Sequence, residues 1–126
     1  MSANQNKQLL QRIFAGLAQG DSRLFVESMA EDFRWHMIGS TAWSKTYEGK
    51  QVVLTELFGK LRLQFADRIK TMPQRFIAED DFVVVEARGN NLTTKGIVYN
   101  NTYCFIFRLA DGKLQDVTEY LDTDLV

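Results

Sequence analysis

Glu119 is the residue best suited to chemistry in this sequence, because it falls in the run Val117-Thr118-Glu119-Tyr120-Leu121, where its next-but-one neighbours are apolar. Alternate side chains of a β-strand share a face, so a strand here sets the carboxyl between Val117 and Leu121. Loss of water around a carboxyl disfavours its charged form and raises its pKa, which suits it to act as general acid or base. The run Asn101-Thr102-Tyr103-Cys104-Phe105-Ile106-Phe107 has the same alternation, with Asn101, Tyr103, Phe105 and Phe107 in one phase. From that phase Tyr103 can donate a hydrogen bond to a ligand oxygen, and Asn101 can orient one. Plain structural roles compete with these: Glu119 can pair with Arg88 or sit at a sheet edge, and Tyr103 can be a core aromatic whose hydroxyl reaches solvent.

The two runs flank Asp111-Gly112, a strong hairpin signal. If that turn adds a one-residue bulge, Asn101, Tyr103, Phe105, Phe107, Val117, Glu119 and Leu121 all face one side, whereas a plain two-residue turn splits them. The bulged register is favoured because it places the large aromatics of both strands under the helices. Glu86 and Arg88 lie two apart in Phe82-Val83-Val84-Val85-Glu86-Ala87-Arg88. They can pair with each other or reach Glu119 across the ladder, as pocket groups or as a structural ion pair. Trp35 and Met37 share a phase that lines a cavity or fills the core, with Phe58 as a core residue that doubles as pocket wall. His36, the only histidine, has the opposite phase and is expected outside, unless a bulge in the first strand swings it inward. Cys104 lies opposite Tyr103 and is read as a small hydrophobe, since no base stands beside it.

Several elements must hold these residues. Leu9, Leu10, Ile13, Phe14 and Leu17 fall on one helical stripe closed by Gly20, which predicts a helix over 5–19. Asp21 is placed to cap a second, short helix with Leu24, Phe25 and Met29 inward, ending near Ala30. Phe33 to Ile38 alternates as a strand, and 39–49 is a loop. Leu54, Leu57, Phe58, Leu61 and Phe65 give a third helix over 50–65. Strands follow at 68–78, marked by Pro73 as an edge or bulged strand, and at 82–88 as a central one. With the hairpin this is helix, helix, strand, helix and a four-stranded antiparallel meander, an α+β domain with helices on one face of a curved sheet.

Composition narrows the function classes. A chain of 126 residues, 45% hydrophobic and 25% charged, fits a single domain over 1–126 with one core. Fifteen Lys+Arg against sixteen Asp+Glu leave a formal charge of −1, which offers no basic excess for nucleic acid or an acidic membrane. One cysteine and one histidine supply no metal-ligand cluster, and a reducing cytoplasm fits a lone thiol. No apolar run resembles a secretion signal or a membrane span, so a soluble, cytoplasmic protein is expected.

In element order the chain resembles the nuclear-transport-factor-2-like superfamily, in its SnoaL-like, ketosteroid-isomerase-related branch. The resemblance rests on Gly20-Asp21, Ala30-Glu31-Asp32-Phe33, Tyr47-Glu48-Gly49, Asp111-Gly112-Lys113-Leu114 and Glu119-Tyr120-Leu121-Asp122, in that order and spacing. It implies a cone with an internal cavity, and it agrees with the bulged hairpin. The resemblance also implies where family chemistry would lie. The tyrosine donor of ketosteroid isomerases matches Ile13, their base falls at His36-Met37, and their second carboxyl falls near Tyr103, so that triad is absent. Limonene epoxide hydrolases and SnoaL-type cyclases use a carboxylate on the last strand, which matches Glu119. The hydrolases' arginine and aspartate, two apart on the central strand, correspond to Glu86 and Arg88 with the types swapped.

The reading that follows is a SnoaL-like small-molecule enzyme performing acid/base chemistry of isomerase, cyclase or hydrolase type without a cofactor, with Glu119 and Tyr103 as catalytic groups. Trp35, Met37, Phe58, Glu86, Arg88, Asn101, Phe105, Val117 and Leu121 would contact a largely apolar polyketide-, terpenoid- or steroid-like ligand. A non-catalytic carrier for a hydrophobic metabolite is the alternative, and a protein-interaction subunit a third. The resemblance further implies a homodimer through the convex sheet face, formed by Thr102, Cys104, Ile106, Tyr120 and Asp122 with Val83, Val85 and Ala87.

Overall fold

The computed structural model describes residues 2–125; Met1 and Val126, the ends of the expected 1–126 domain, lie outside the described residues. Helix α1 runs Ala3–Leu17 and starts earlier than its apolar stripe, because Ser2 and Gln5 form a capping box. Ser2 Oγ accepts from the Gln5 amide at 3.1 Å, and Gln5 Oε1 accepts from the Ser2 amide at 2.9 Å. Leu9, Leu10, Ile13 and Phe14 are its buried face. Helix α2 is short, Arg23–Ser28. Ser22 is the residue before the helix and makes no side-chain cap bond; Asp21 supplies the oxygen, its Oδ1 accepting from the amide of Arg23, the first helical residue, at 3.1 Å.

Strand β1, Met29–Met37, is longer than its alternating core because it begins directly where α2 ends. Phe33, Trp35 and Met37 point inward, and Arg34 and His36 outward, as their phase requires. A register shift between Met29 and Arg34 lies before His36 and leaves it outside, with Nδ1 2.7 Å from Thr46 Oγ1. Strand β2 is Thr46–Glu48. Helix α3 spans 50–62 in three continuous pieces: Lys50–Val52, a π-helical Val53–Phe58, and Gly59–Arg62. Val53, one turn before Leu57 and on the same helix face, joins it in the core, although the expected stripe began at Leu54.

Strands β3 (Thr71–Glu79), β4 (Phe82–Gly89), β7 (Thr102–Ala110) and β8 (Lys113–Leu121) form the expected meander. A small hairpin of β5 (Asn91–Leu92) and β6 (Val98–Tyr99) sits apart from them. The main sheet has the order β2-β1-β8-β7-β4-β3, antiparallel except for the β1–β8 pair. Pro73 lies on the edge strand next to a register shift, where its missing N–H costs no ladder bond. The three helices cover one face of this mixed, mostly antiparallel sheet, which makes the fold α+β.

The hairpin reaches the favoured register by a different device from the one expected. Asp111 and Gly112 form a two-residue turn with φ of 52° and 76°, the left-handed pair of a type I′ turn. The extra residue lies two positions into β8. Leu109 pairs with Leu114, but Arg108 pairs with Asp116, so Gln115 is the bulge. Beyond it Phe107 faces Val117, Phe105 faces Glu119 and Tyr103 faces Leu121, all on the helix-covered side.

The phase of β4 corrects one expectation. Val85 lies opposite Phe105 and Ala87 opposite Tyr103, and directly opposed residues share a face. Val83, Val85 and Ala87 are therefore core residues, at most 1% exposed, and they contribute nothing to the outer face. The outer face instead carries Glu86 and Arg88 beside Thr102, Cys104, Ile106 and Tyr120.

Candidate active site

Between the helices and the sheet lies a cavity of about 670 Å³. Phe14 and Leu17 of α1, Phe25 of α2 and Phe58 and Leu61 of α3 wall it, over a floor of Trp35, Tyr103, Phe105, Phe107 and Glu119. The rings interlock: Trp35 stands edge-on to Phe58 at 5.4 Å and to Phe105 at 6.0 Å, and Phe14 leans on Phe105 at 5.9 Å. Packing of this kind fixes the rotamers of the floor before any ligand arrives.

Glu119 is only 5% exposed and sits between Met37 of β1 and Phe105 of β7. Trp35 Nε1 donates to its Oε1 at 2.9 Å. Among the described residues Oε2 has no hydrogen-bond partner, yet it is not a sealed atom, which leaves it facing the cavity. Burial pushes the carboxyl pKa up to about 7, against the smaller opposing effect of the indole N–H, which favours the charged form. Such a group exchanges a proton at neutral pH. Tyr103 also lines the cavity, its ring stacked on Phe105 at 5.2 Å and its hydroxyl beside that of Tyr99. Its pKa is driven well above the ordinary phenol value, by burial first and then by Tyr99 and Glu119. It is therefore a hydrogen-bond donor across the neutral range.

The structure brings Glu119, Tyr103, Trp35, Phe58 and Phe105 together at this cavity. Met37 and Val117 are buried on the same face but belong to the packed core beside it. Leu121 packs opposite Tyr103 and borders a shallow groove at the far end of the hairpin. Asn101 does not reach the cavity. Its Nδ2 donates to Tyr99 Oη at 2.8 Å and to the Asp122 carbonyl at 3.1 Å, and its Oδ1 accepts from the Thr102 and Asp122 amides at 2.8 and 3.0 Å. With its amide fully used, Asn101 clamps the strand ends and has no capacity for a ligand.

Glu86 and Arg88 are corrected as well. Both are on the outer face, where Glu86 pairs with Arg75 at 3.2 Å, so neither contacts a ligand in the cavity. The reason is again the β4 phase: with Val85 and Ala87 inward, positions 86 and 88 must point out. Cys104 is half-buried on the outer face, and burial raises its thiol pKa, which makes it a poor nucleophile. Among the described residues no group of His, Cys, Asp and Glu could hold a metal ion. The residues that sequence reasoning missed are at the rim: Arg23, Arg62, Arg68, Ile69 and Thr71. Arg62 follows Leu61 on α3 and was within reach of the helical pattern, but Arg68 lies in a connection with no periodicity to place it.

Comparison with known proteins agrees with this architecture. The sequence profile of the SnoaL-like domain matches residues 10–117. None of the curated proteins matches the sequence significantly. Among solved structures, an NTF2-like protein of unknown function from Burkholderia pseudomallei aligns with a TM-score of 0.82 at 18% identity, covering 98% of this chain and 94% of that one. TerC, crystallised with polyporic acid, aligns at 0.78 and 20% identity over 94% and 92% of the two chains. A protein from Jannaschia sp. CCS1, assigned as a SnoaL-like polyketide cyclase, aligns at 0.78 and 20% over 96% and 88%. At these identities the structures speak for the fold alone. The profile match covers most of the chain and carries the assignment: the protein belongs to the SnoaL-like family, with an NTF2-like fold.

Proposed function

We propose that this protein is a cofactor-independent enzyme performing proton-transfer chemistry of isomerase, cyclase or hydrolase type on a largely apolar small molecule. The observation that carries the reading is Glu119: one carboxyl in an aromatic cavity, held by the Trp35 indole, with its second oxygen open to a ligand. A carboxylate with a pKa near the working pH can remove a proton from a carbon or a water and return it in a later step. Tyr103, which lines the same cavity, would donate to the oxygen on which charge develops. A polyketide-, terpenoid- or steroid-like skeleton fits the aromatic walls, and the polyporic acid of TerC and the cyclase assignment of the Jannaschia protein support a ligand of that type. Steroid isomerisation by the family triad is not part of the proposal, because Ile13 is buried core and has no hydrogen to donate.

A carrier function is the second reading, favoured by one observation. The expected hydrolase-like pair Glu86 and Arg88 faces away from the cavity, which leaves Glu119 and Tyr103 as the ionisable groups on its floor. Turnover separates the two. A panel of cyclic enones, aryl epoxides and poly-β-ketones is assayed with wild type and Glu119→Gln. The enzyme reading predicts a substrate whose turnover falls by about 10²–10⁴ in the variant, and activity within twofold of wild type removes the role assigned to Glu119. A single domain over 1–126, a cytoplasmic location and a homodimer through the outer sheet face complete the proposal. The dimer would use Tyr120, Thr102, Cys104, Ile106 and Asp122.

A further inference from the structure

The cavity's rim is charged in a way its floor is not. Arg23, Arg62 and Arg68 border the opening and are exposed, whereas Glu119 and the rings below are buried. Arg23 is neutralised locally, since its Nη2 and Nε donate to Asp21 Oδ2 and Oδ1 at 2.9 and 3.1 Å. Among the described residues Arg62 and Arg68 form no ion pair. Asp21 also feels the charge of Arg68, after that of Arg23. The Arg68 stem lies against Gly20, where a Cβ would come within 2.9 Å of Arg68 Cβ and 3.3 Å of its Cδ. Gly20, at φ +78°, thus makes the space that seats this arginine at the lip.

We propose that the cavity takes an amphipathic anion, an apolar ring system lying among Phe14, Phe58 and Phe105 with its oxyanion group at the rim against Arg62 and Arg68. The inference rests on the cavity being the ligand site. Guanidinium groups match carboxylate, sulfonate and phosphate oxygens in a bidentate fork. Positive charge at the mouth of a low-dielectric cleft concentrates field there and draws anions toward it. The floor works in the same direction, because a charged Glu119 repels an anion entering head-first. Ligand orientation is thereby set, with the apolar body inward, toward the acid/base group.

A matched pair of dyes tests this. 1-Anilinonaphthalene-8-sulfonate carries a sulfonate that N-phenyl-1-naphthylamine lacks on the same skeleton. Binding of both is measured by fluorescence to wild type and to Arg62→Gln/Arg68→Gln, together with displacement of the neutral dye by the anionic one. The expected result is mutual competition in wild type, with the double variant losing more than fivefold in affinity for the sulfonate and less than twofold for the neutral dye. A fivefold or smaller loss for the sulfonate, an equal loss for both dyes, or absence of competition overturns the anion inference. If neither dye binds wild type, the cavity itself is not a ligand site, and the functional reading falls together with the inference.

Discussion

A carboxyl that keeps its proton to about pH 7 in the folded chain, against 4.5 for the ordinary group, makes stability depend on pH with a definite sign. Between those values the folded state binds more protons than the unfolded state, so stability falls as pH rises from 4.5 to 7 and levels above. The loss attributable to Glu119 is about 3 kcal/mol, an order-of-magnitude figure. Glu119→Gln cannot ionise and escapes it. Urea unfolding should show the variant more stable than wild type at pH 8 and the gap largely closed at pH 4.5; a constant gap would mean that Glu119 is not buried as described. Trp35→Phe keeps most of the ring but removes the indole donor at 2.9 Å from Oε1. It should cost about 1–3 kcal/mol and move the Glu119 titration to higher pH, since the lost bond favoured the charged form.

At the scale of elements, one inserted residue decides which groups meet. The Gln115 bulge brings Val117, Glu119 and Leu121 onto the same face as Phe107, Phe105 and Tyr103. Deleting Gln115 should force the rest of β8 either to turn Glu119 outward or to lose its pairing with both β7 and β1. The expected outcome is loss of the cooperative thermal transition by circular dichroism, whereas Gln115→Ala, which keeps the residue count, should unfold within about 1 kcal/mol of wild type. Much of this was legible from sequence: α1, α3 and the meander follow from apolar periodicity, and Glu119 from its apolar neighbours. The bulge position was not, because parity fixes that an extra residue is needed and says nothing of where it lies between Leu109 and Val117. The phase of β4 was harder, since Val83, Val84 and Val85 are apolar on both faces and only pairing with Phe105 and Tyr103 resolves them. Asn101 shared the right phase but was claimed by backbone groups of Thr102 and Asp122, a partnership invisible in a one-dimensional pattern.

At the scale of the molecule, one face of the sheet is covered by helices around the cavity and the other carries no helix. Tyr120 is 43% exposed there, beside Cys104 and Ile106, with Arg108 tied to Asp116 at 2.8 Å nearby. The proposed homodimer predicts a light-scattering mass of twice the 14.5 kDa chain, reduced to one chain by Tyr120→Arg with the thermal transition retained. A 14.5 kDa wild-type species would confine the function to a single subunit. The proposed chemistry depends above all on a protonatable carboxyl inside the cavity, and carbon NMR of glutamate labelled at the side-chain carboxyl reads it directly. One resonance should titrate near pH 7, vanish in Glu119→Gln, and shift to still higher pH when N-phenyl-1-naphthylamine displaces water from the cavity. Titration of every glutamate carboxyl in the ordinary range near 4.5 would contradict the account.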